Sequence, residues 1–253
     1  ERHGIGLGDT VSIIAANTPE IFETHYSVPM TGAVLNTINT RLEADTIAYI
    51  LDHGDAKVFI VDTQFSPTVK EALVKHKKEI FVIDIEDPIA NLNEGEGERL
   101  GKYSYEEFIE KGDIAYQWKK PNDEWQAITL NYTSGTTGRP KGVVYHHRGS
   151  YLMSMGSVVA WNMPNHPTHL SVVPLFHCHG WCYPWTLAVL AGTLVCIRYA
   201  FAKDIYDLIV DHNVTHFSGA PIVLNMVANA PDNEKRKIDH KVNVITAGAP
   251  PPS

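Results

Sequence analysis

Three features that mark particular classes of protein are scarce or missing in this sequence. Three cysteines in 253 residues are too few for the disulfide scaffold of a small secreted domain, and they favour a reducing compartment. No apolar run approaches the ~18 residues that a membrane-spanning helix needs. Basic residues number 21 against 29 acidic ones, which gives a formal net charge of −8. A general attraction to nucleic acid or to an anionic membrane is therefore not expected.

Strand-like and helix-like segments alternate along the chain. With 44% hydrophobic residues, a chain of this length can bury one large core or two smaller ones. The pattern predicts an α/β fold, in which βαβ units form largely parallel sheets covered by helices. Predicted strands cover 10–16, 33–35, 57–61, 80–85, 127–132, 170–174, 193–198, 214–218 and 242–246, and predicted helices begin at Pro19 and cover 44–52, 69–76, 150–161, 181–190 and 222–228.

The alternation breaks between residues 86 and 124, where the sequence is acidic and contains glycine. Ser104 and Glu107 have the spacing of a capping box, which predicts a short helix there. We expect this segment to cross between two sheets, and it suggests two sub-domains, 1–124 and 125–253.

The stretch 133–142, Thr-Ser-Gly-Thr-Thr-Gly-Arg-Pro-Lys-Gly, follows the predicted strand 127–132 and precedes the predicted helix 150–161. Its glycines permit close approach of the backbone to a ligand, its hydroxyls donate hydrogen bonds, and Lys141 supplies a compact charge. The spacing is not that of a Walker loop, because Pro140 stands where the second glycine belongs, and no Gly-x-Gly-x-x-Gly triplet occurs. A phosphate-binding loop is predicted, with a solvated linker as the alternative.

Residues 132–143 resemble the signature loop of the adenylate-forming (AMP-binding) superfamily, which includes acyl-CoA synthetases, luciferase-like enzymes and peptide-synthetase adenylation domains. Further similarities occur in the family's order at 35–42, 49–51, 174–177 and 247–250. The resemblance identifies residues 1–253 as part of the family's large N-terminal domain. The family's next motif and its C-terminal domain are expected to lie beyond this chain, and the 253-residue chain by itself is expected to be inactive.

The resemblance implies ATP-dependent activation of a short- or medium-chain carboxylate to an acyl-adenylate, followed by transfer to CoA. That activity is an acid-thiol ligase of fatty acid metabolism, and its cofactors are ATP, Mg²⁺ and CoA. The expected partners are these small molecules, with neither nucleic acid nor an integral membrane segment. A cytoplasmic location is expected, a peroxisomal one remains open, and a homodimer of the full-length protein is a further expectation.

The ATP site is carried over from the family's motifs one residue at a time. Lys141 and Thr136 are the predicted catalytic residues, and Thr133 is also the predicted contact to the metal. The backbone of the segment that begins at Gly248 is predicted to lie on adenine, although a plain turn at a strand end has the same sequence pattern. The predicted ATP-binding residues are Thr133, Ser134, Gly135, Thr136, Thr137, Gly138, Lys141, Gly248, Ala249 and Pro250.

A second group matches the family's carboxylate pocket and comprises Phe176, His177, Cys178 and Trp181. His177 and Trp181 have an alternative as packed core residues. The histidines and cysteines between 177 and 182 also suggest zinc, although structural zinc sites usually take their ligands from two separated pairs.

Two other functions remain open. An amino-acid adenylation domain would need an aspartate for the substrate ammonium, and none can be placed. A nucleotide-binding module without turnover would keep ATP affinity and lack pyrophosphate exchange. A fatty-acyl-CoA ligase is preferred because the segment 174–182 is more similar to fatty-acyl enzymes than to peptide-synthetase domains.

Overall fold

The computed structural model describes residues 2–133 and 138–248. The chain divides into two compact units. The first contains residues 1–16 and 20–150, and the second contains residues 17–19 and 151–253. The boundary at 150 differs from the sub-domain division at 124, because the segment that follows 124 adds two strands to the sheet of the first unit.

The first unit is built on a seven-stranded sheet. Its strands are β1 (Thr10–Ile14), β2 (Val34–Thr37), β3 (Ala56–Asp62), β4 (Phe81–Ile85), β5 (Tyr103–Ser104), β6 (Ala127–Thr133) and β7 (Lys141–His146). They lie in the order β5-β4-β3-β1-β2-β6-β7. Neighbouring strands from β5 to β6 are parallel, and β7 runs antiparallel to β6.

Four helices cover this sheet, and their ends follow local sequence signals. Pro19 occupies the first position of α1, where its missing N–H costs nothing. Ser104 and Glu107 form the predicted capping box at the start of α4. In α2 the buried side chains Ala44, Ile47 and Leu51 repeat at helical spacing and pack in the core. The helices are α1 (Pro19–Met30), α2 (Ala44–His53), α3 (Ser66–Lys75) and α4 (Tyr105–Ile109).

The second unit contains a four-stranded parallel sheet. Its strands are β8 (Thr168–Ser171), β9 (Thr193–Cys196), β10 (His216–Ser218) and β11 (Asn243–Ile245), in the order β11-β10-β8-β9. Leu170, Ile205 and Phe217 lie in its core. The helices that follow residue 146 are α5 (His147–Ala160), α6 (Cys178–Trp181), α7 (Tyr183–Val189), α8 (Ala202–Asp211) and α9 (Pro221–Ala228). The single turn α6 has left-handed backbone angles and is not a regular α-helix.

The predicted α/β class with largely parallel sheets is confirmed. One local prediction was wrong. The segment 86–124 does not cross between sheets, because β5 pairs with β4 and extends the first sheet. The strand β7 was not predicted: residues 141–146, whose valines and tyrosine favour a strand, return along β6 before α5 begins. Among the described residues, no helix is long and apolar enough to cross a membrane.

Candidate active site

The predicted phosphate loop lies at the tip of the β6–β7 hairpin. Thr133 ends β6 and is paired with Lys141, the first residue of β7. Both are exposed. The predicted ATP-binding residues Ser134, Gly135, Thr136 and Thr137 lie outside the described residues. The two ends of the loop therefore place one hydroxyl and one ammonium side by side.

Gly138 is the first described residue of the returning limb. Its φ of +106° lies in a region that L-residues other than glycine rarely adopt. A Cβ built at this position meets no atom of the described residues within 4 Å. The glycine is therefore required by its backbone conformation, and the described residues leave space beside it.

Buried hydrogen bonds fix the strand that leads to the loop. Ser12 Oγ donates to Asn36 Oδ1 at 2.9 Å, and Asn36 Nδ2 donates to the carbonyl oxygen of Leu130 at 2.9 Å. Ser12 and Asn36 are fully buried. Because a buried amide left without partners costs free energy, this chain of bonds favours one register of β6 against β2. The position of Thr133 follows from that register.

In the second unit, Asn17 holds the segment that follows β8. Its Nδ2 donates to the carbonyl oxygens of Ser171 at 2.7 Å and Val173 at 3.0 Å, and its Oδ1 accepts from the Leu175 N–H at 2.7 Å. Asn17 is buried. Sequence reasoning missed this residue, because an asparagine just before a helix is usually taken as part of the helix start. One side chain thus shapes the backbone that leads to Phe176.

A turn of left-handed backbone follows His177. Left-handed conformations usually occur as single residues, and each one costs a non-glycine residue roughly 1–2 kcal/mol. Leu175 packs so closely here that a Cβ at Gly180 would lie 2.7 Å from its Cδ2. The successive φ values are +46° at Cys178, +45° at His179, +54° at Gly180, +56° at Trp181 and +62° at Cys182.

This turn separates the predicted pocket residues by exposure. Phe176 is half-buried, and His177 and Cys178 are exposed, with 3.9 Å between His177 Nε2 and Cys178 Sγ. Trp181 is half-buried and packs against Met163, Tyr183 and Leu190. The structure therefore shows a core contact for Trp181, and its role as a pocket wall stays a prediction.

The zinc alternative finds no support in the same turn. His179 is fully buried while Cys178 is exposed. Burial raises the pKa of Cys182 to about 11, with a smaller contribution from Cys178, so its thiol stays protonated at neutral pH. Across residues 2–133 and 138–248, no group of three or more His, Cys, Asp or Glu side chains is placed to hold a metal ion.

A stack of three rings lies in the core of the second unit and was not predicted. The Tyr183 ring lies 3.8 Å from the His169 ring and 5.3 Å from the Trp161 ring, both at 27°. His169 Nε2 lies 3.3 Å from Ser218 Oγ. Burial, together with the nearby His216, lowers the pKa of His169 to about 3. The stack is therefore uncharged at neutral pH, which suits an apolar surrounding.

The predicted adenine segment begins at the last described residue. Gly248 has φ +98°, and a Cβ there would meet no atom of the described residues within 4 Å. Ala249 and Pro250 lie outside the described residues. Open space next to a backbone that only glycine readily adopts is compatible with the approach of a flat base.

Comparison with known protein families decides the membership of this chain. A family model described as "AMP-binding enzyme" matches residues 1–253. The chain belongs to the AMP-binding enzyme family. The assignment of the hairpin tip as the family's signature loop rests on the sequence resemblance and stays a prediction.

Curated relatives in this AMP-binding family are acyl-CoA ligases. An acetate–CoA ligase of Humulus lupulus is 46% identical over 260 residues, which cover 99% of this chain and 46% of the relative. An acetate/butyrate–CoA ligase of Arabidopsis thaliana, described as peroxisomal, is 44% identical over 257 residues, or 98% of this chain and 45% of the relative. The chain therefore spans about half the length of the curated relatives it matches.

Solved structures agree on the fold. A luciferase-like enzyme from the mealworm Zophobas morio has a TM-score of 0.82 at 19% identity, covering 100% of this chain and 56% of that one. The N-terminal domain of FACL13 from Mycobacterium tuberculosis has a TM-score of 0.79 at 24% identity, covering 98% and 59%. The fold of this AMP-binding chain is thus that of adenylate-forming N-terminal domains.

Proposed function

We propose that the full-length protein joins a short- or medium-chain carboxylate to ATP and transfers the acyl group to CoA. The observation that carries the proposal is the hairpin tip, where Thr133 and Lys141 stand across from each other beside the open backbone at Gly138. When a carboxylate attacks the α-phosphate, negative charge grows on the departing pyrophosphate. Hydrogen-bond donors and a cation around the β- and γ-phosphates stabilise that charge.

Lys141→Ala tests the phosphate assignment in the full-length protein. We expect pyrophosphate exchange at saturating ATP to fall on the order of 10²-fold, because the lysine stabilises charge mainly in the transition state. Lys70→Ala is the matched control, since Lys70 is an exposed lysine paired with Glu98. An unchanged exchange rate in Lys141→Ala, or an equal loss in both variants, would contradict the assignment.

Magnesium is part of the proposal only through ATP. Mg²⁺ prefers six oxygen ligands and usually combines one or two carboxylates with phosphate and water. Thr133 supplies one neutral oxygen, and the described residues near it form no cluster of carboxylates. Thr133 could therefore contribute one ligand at most, and Mg²⁺ would have to be held mainly by the phosphates and by groups other than the described residues.

The substrate class is proposed from the second unit. Phe176, His177, Cys178 and Trp181 would line the carboxylate pocket. The related ligases are named for acetate, butyrate and 2-methylpropanoate, which favours a small aliphatic acid here. Release of AMP that requires both CoA and a C2–C6 straight-chain acid would support this assignment. Retained ATP binding without pyrophosphate exchange would instead favour a nucleotide-binding module.

The location and assembly of the full-length protein are separate proposals. A cytoplasmic location is proposed, with a peroxisomal one as the alternative that the relative described as peroxisomal favours. A homodimer is testable by light scattering after gel filtration, and a monomer mass at micromolar concentration would refute it.

A further inference from the structure

Helix α2 presents two aromatic side chains to the phosphate-loop hairpin. Tyr49 and His53 are one helical turn apart, and their ring centroids lie 5.3 Å from each other at 30°. Tyr49 is half-buried and His53 is exposed. Neither is a predicted ligand of ATP, and both face residues that flank the loop.

Tyr49 contacts the returning limb of the loop. The guanidinium carbon of Arg139 lies 5.5 Å from the centre of the Tyr49 ring, within the range of a cation–π interaction. The Tyr49 hydroxyl donates to the carbonyl oxygen of Pro140 at 3.5 Å, a long hydrogen bond. These two contacts lie immediately before Lys141. They restrict the backbone that carries the lysine.

His53 contacts the strand that enters the loop. Its Nδ1 lies 2.7 Å from the hydroxyl of Tyr132, and the two rings meet edge to face at 5.7 Å. Burial raises the pKa of Tyr132 to about 12, with a further contribution from Tyr49, so the hydroxyl keeps its proton and can donate to Nδ1. Tyr132 immediately precedes Thr133. His53 is therefore bonded to the entry of the loop as Tyr49 is to its exit.

The C-terminal end of α2 approaches the hairpin closely at Gly54. A Cβ at Gly54 would lie 3.0 Å from the carbonyl oxygen of Ile50, 3.3 Å from Leu130 Cδ2 and 3.3 Å from the Tyr132 hydroxyl. These distances are tighter than most real Cβ contacts, so a larger residue would require its neighbours to shift. The arrangement is thus a packed junction, and the aromatic contacts are fixed by it.

We propose that α2 is a positioning element for adenylation, in which Tyr49 holds the exit and His53 the entry of the phosphate loop. The inference deepens the proposed function and rests on it. A binding segment whose flanking backbone is already fixed loses less conformational entropy when a ligand binds. Loss of the contacts should therefore raise the KM for ATP more than the KM for the carboxylate, and it should loosen the flanking backbone at 132–133 and 139–142 even without ligand.

Substitutions at the two aromatic positions test this role in the full-length protein. Tyr49→Ala removes both contacts to the exit, and we expect the KM for ATP to rise about tenfold, which corresponds to ~1.4 kcal/mol. Tyr49→Phe keeps the ring under Arg139 and should raise the KM for ATP about threefold or less. His53→Ala should resemble Tyr49→Ala, and His53→Gln should restore part of the affinity, because an amide can accept from the Tyr132 hydroxyl.

Tyr105→Phe is the matched control. It also deletes one tyrosine hydroxyl, which donates to Glu23 Oε2 at 2.9 Å on the same unit and has no hydrogen bond to a described residue of the loop. Pyrophosphate exchange gives the KM values and kcat. Hydrogen exchange of the peptide 132–142, measured by mass spectrometry without ATP, reports the freedom of the loop. We expect faster exchange in that peptide for the Tyr49 and His53 variants and no change for Tyr105→Phe.

The outcomes separate this inference from the proposed function. If Lys141→Ala loses exchange but the Tyr49 and His53 variants keep the wild-type KM for ATP, the positioning role is wrong and the function stands. Equal effects on the KM values for ATP and carboxylate, or unchanged hydrogen exchange in 132–142, would also overturn it. If the wild-type protein shows no pyrophosphate exchange, the proposed function and the role assigned to α2 in it both fall.

Discussion

Asn17→Ala should damage the carboxylate site of this protein without touching a substrate atom. Asn17 makes three hydrogen bonds of 2.7–3.0 Å to the backbone of residues 171–175. That backbone leads directly to Phe176 and His177. The substitution therefore removes the side chain that holds the two predicted pocket residues in place and leaves both of them present.

The magnitude follows from the burial of these bonds. A hydrogen bond contributes about 1 kcal/mol net, and a buried group left without a partner costs ~1–3 kcal/mol. Asn17 is 8% exposed, so water can replace few of its bonds. Asn17→Ala should lower the free energy of unfolding by roughly 3–5 kcal/mol. Asn17→Asp should be no milder, because it keeps the acceptor for Leu175 N–H but turns an oxygen toward the carbonyls of Ser171 and Val173.

The assay is pyrophosphate exchange in the full-length protein, with thermal melting of every variant. Asn243→Ala is the control, since Asn243 is a partly buried asparagine of the same unit whose side chain has contacts of 3.3 Å to Thr215 and His216. We expect the KM for the carboxylate to rise at least tenfold in Asn17→Ala while the KM for ATP changes less than threefold. If the carboxylate KM moves no more than in Asn243→Ala, Asn17 has a structural role only.

Three further predictions concern other sites. Trp181→Ala should shift kcat/KM toward longer straight-chain acids if the side chain walls the pocket, whereas an equal loss at all lengths with a fall of about 3–5 kcal/mol in stability would make it a core residue. Burial lowers the pKa of His169 to about 3 in the fold, against 6.5 when the chain is unfolded, so its contribution to the free energy of unfolding should be complete above about pH 6.5 and fall as the pH drops toward 3. Denaturant unfolding of wild type and His169→Gln at several pH values tests this. An equal pH dependence of the unfolding free energy in both proteins would refute it. Ser104→Ala should lower the free energy of unfolding by about 1 kcal/mol, because it breaks the capping box, and it should leave pyrophosphate exchange unchanged.

Local signals in the sequence predicted the elements that depend on local chemistry. The start of α1 at Pro19, the capping box at Ser104 and the helix over 44–52 were found because their causes lie within one or two turns of chain. The strand β7 was missed, although the run Val143, Val144 and Tyr145 has the composition of a strand. A loop of phosphate-binding type usually precedes a helix, and that expectation outweighed the composition.

The supports of the candidate site could not have been predicted, because their partners are distant in the chain. Asn17 bonds to residues more than 150 positions away, and His53 bonds to Tyr132 across 79 positions. Neither residue belongs to a motif with a phosphate or carboxylate role. Roles for the motif residues can be proposed from their chemistry, whereas the residues that hold them in place become visible only from the packing of helix against hairpin and of loop against strand.

The left-handed turn at 178–182 connects the motif residues with the packing that holds them in place. Four of its five residues carry a Cβ, so the conformation costs on the order of 4–8 kcal/mol relative to a right-handed turn. Burial of His179, Cys182 and the adjoining Tyr183 offsets this cost. A relaxed chain with the same apolar residues could bury them without that strain, so the turn is best explained by the place it gives to the exposed side chains of His177 and Cys178 at its start. The segment that the family resemblance assigned to the carboxylate is therefore also the segment where the fold of the second unit stores backbone strain.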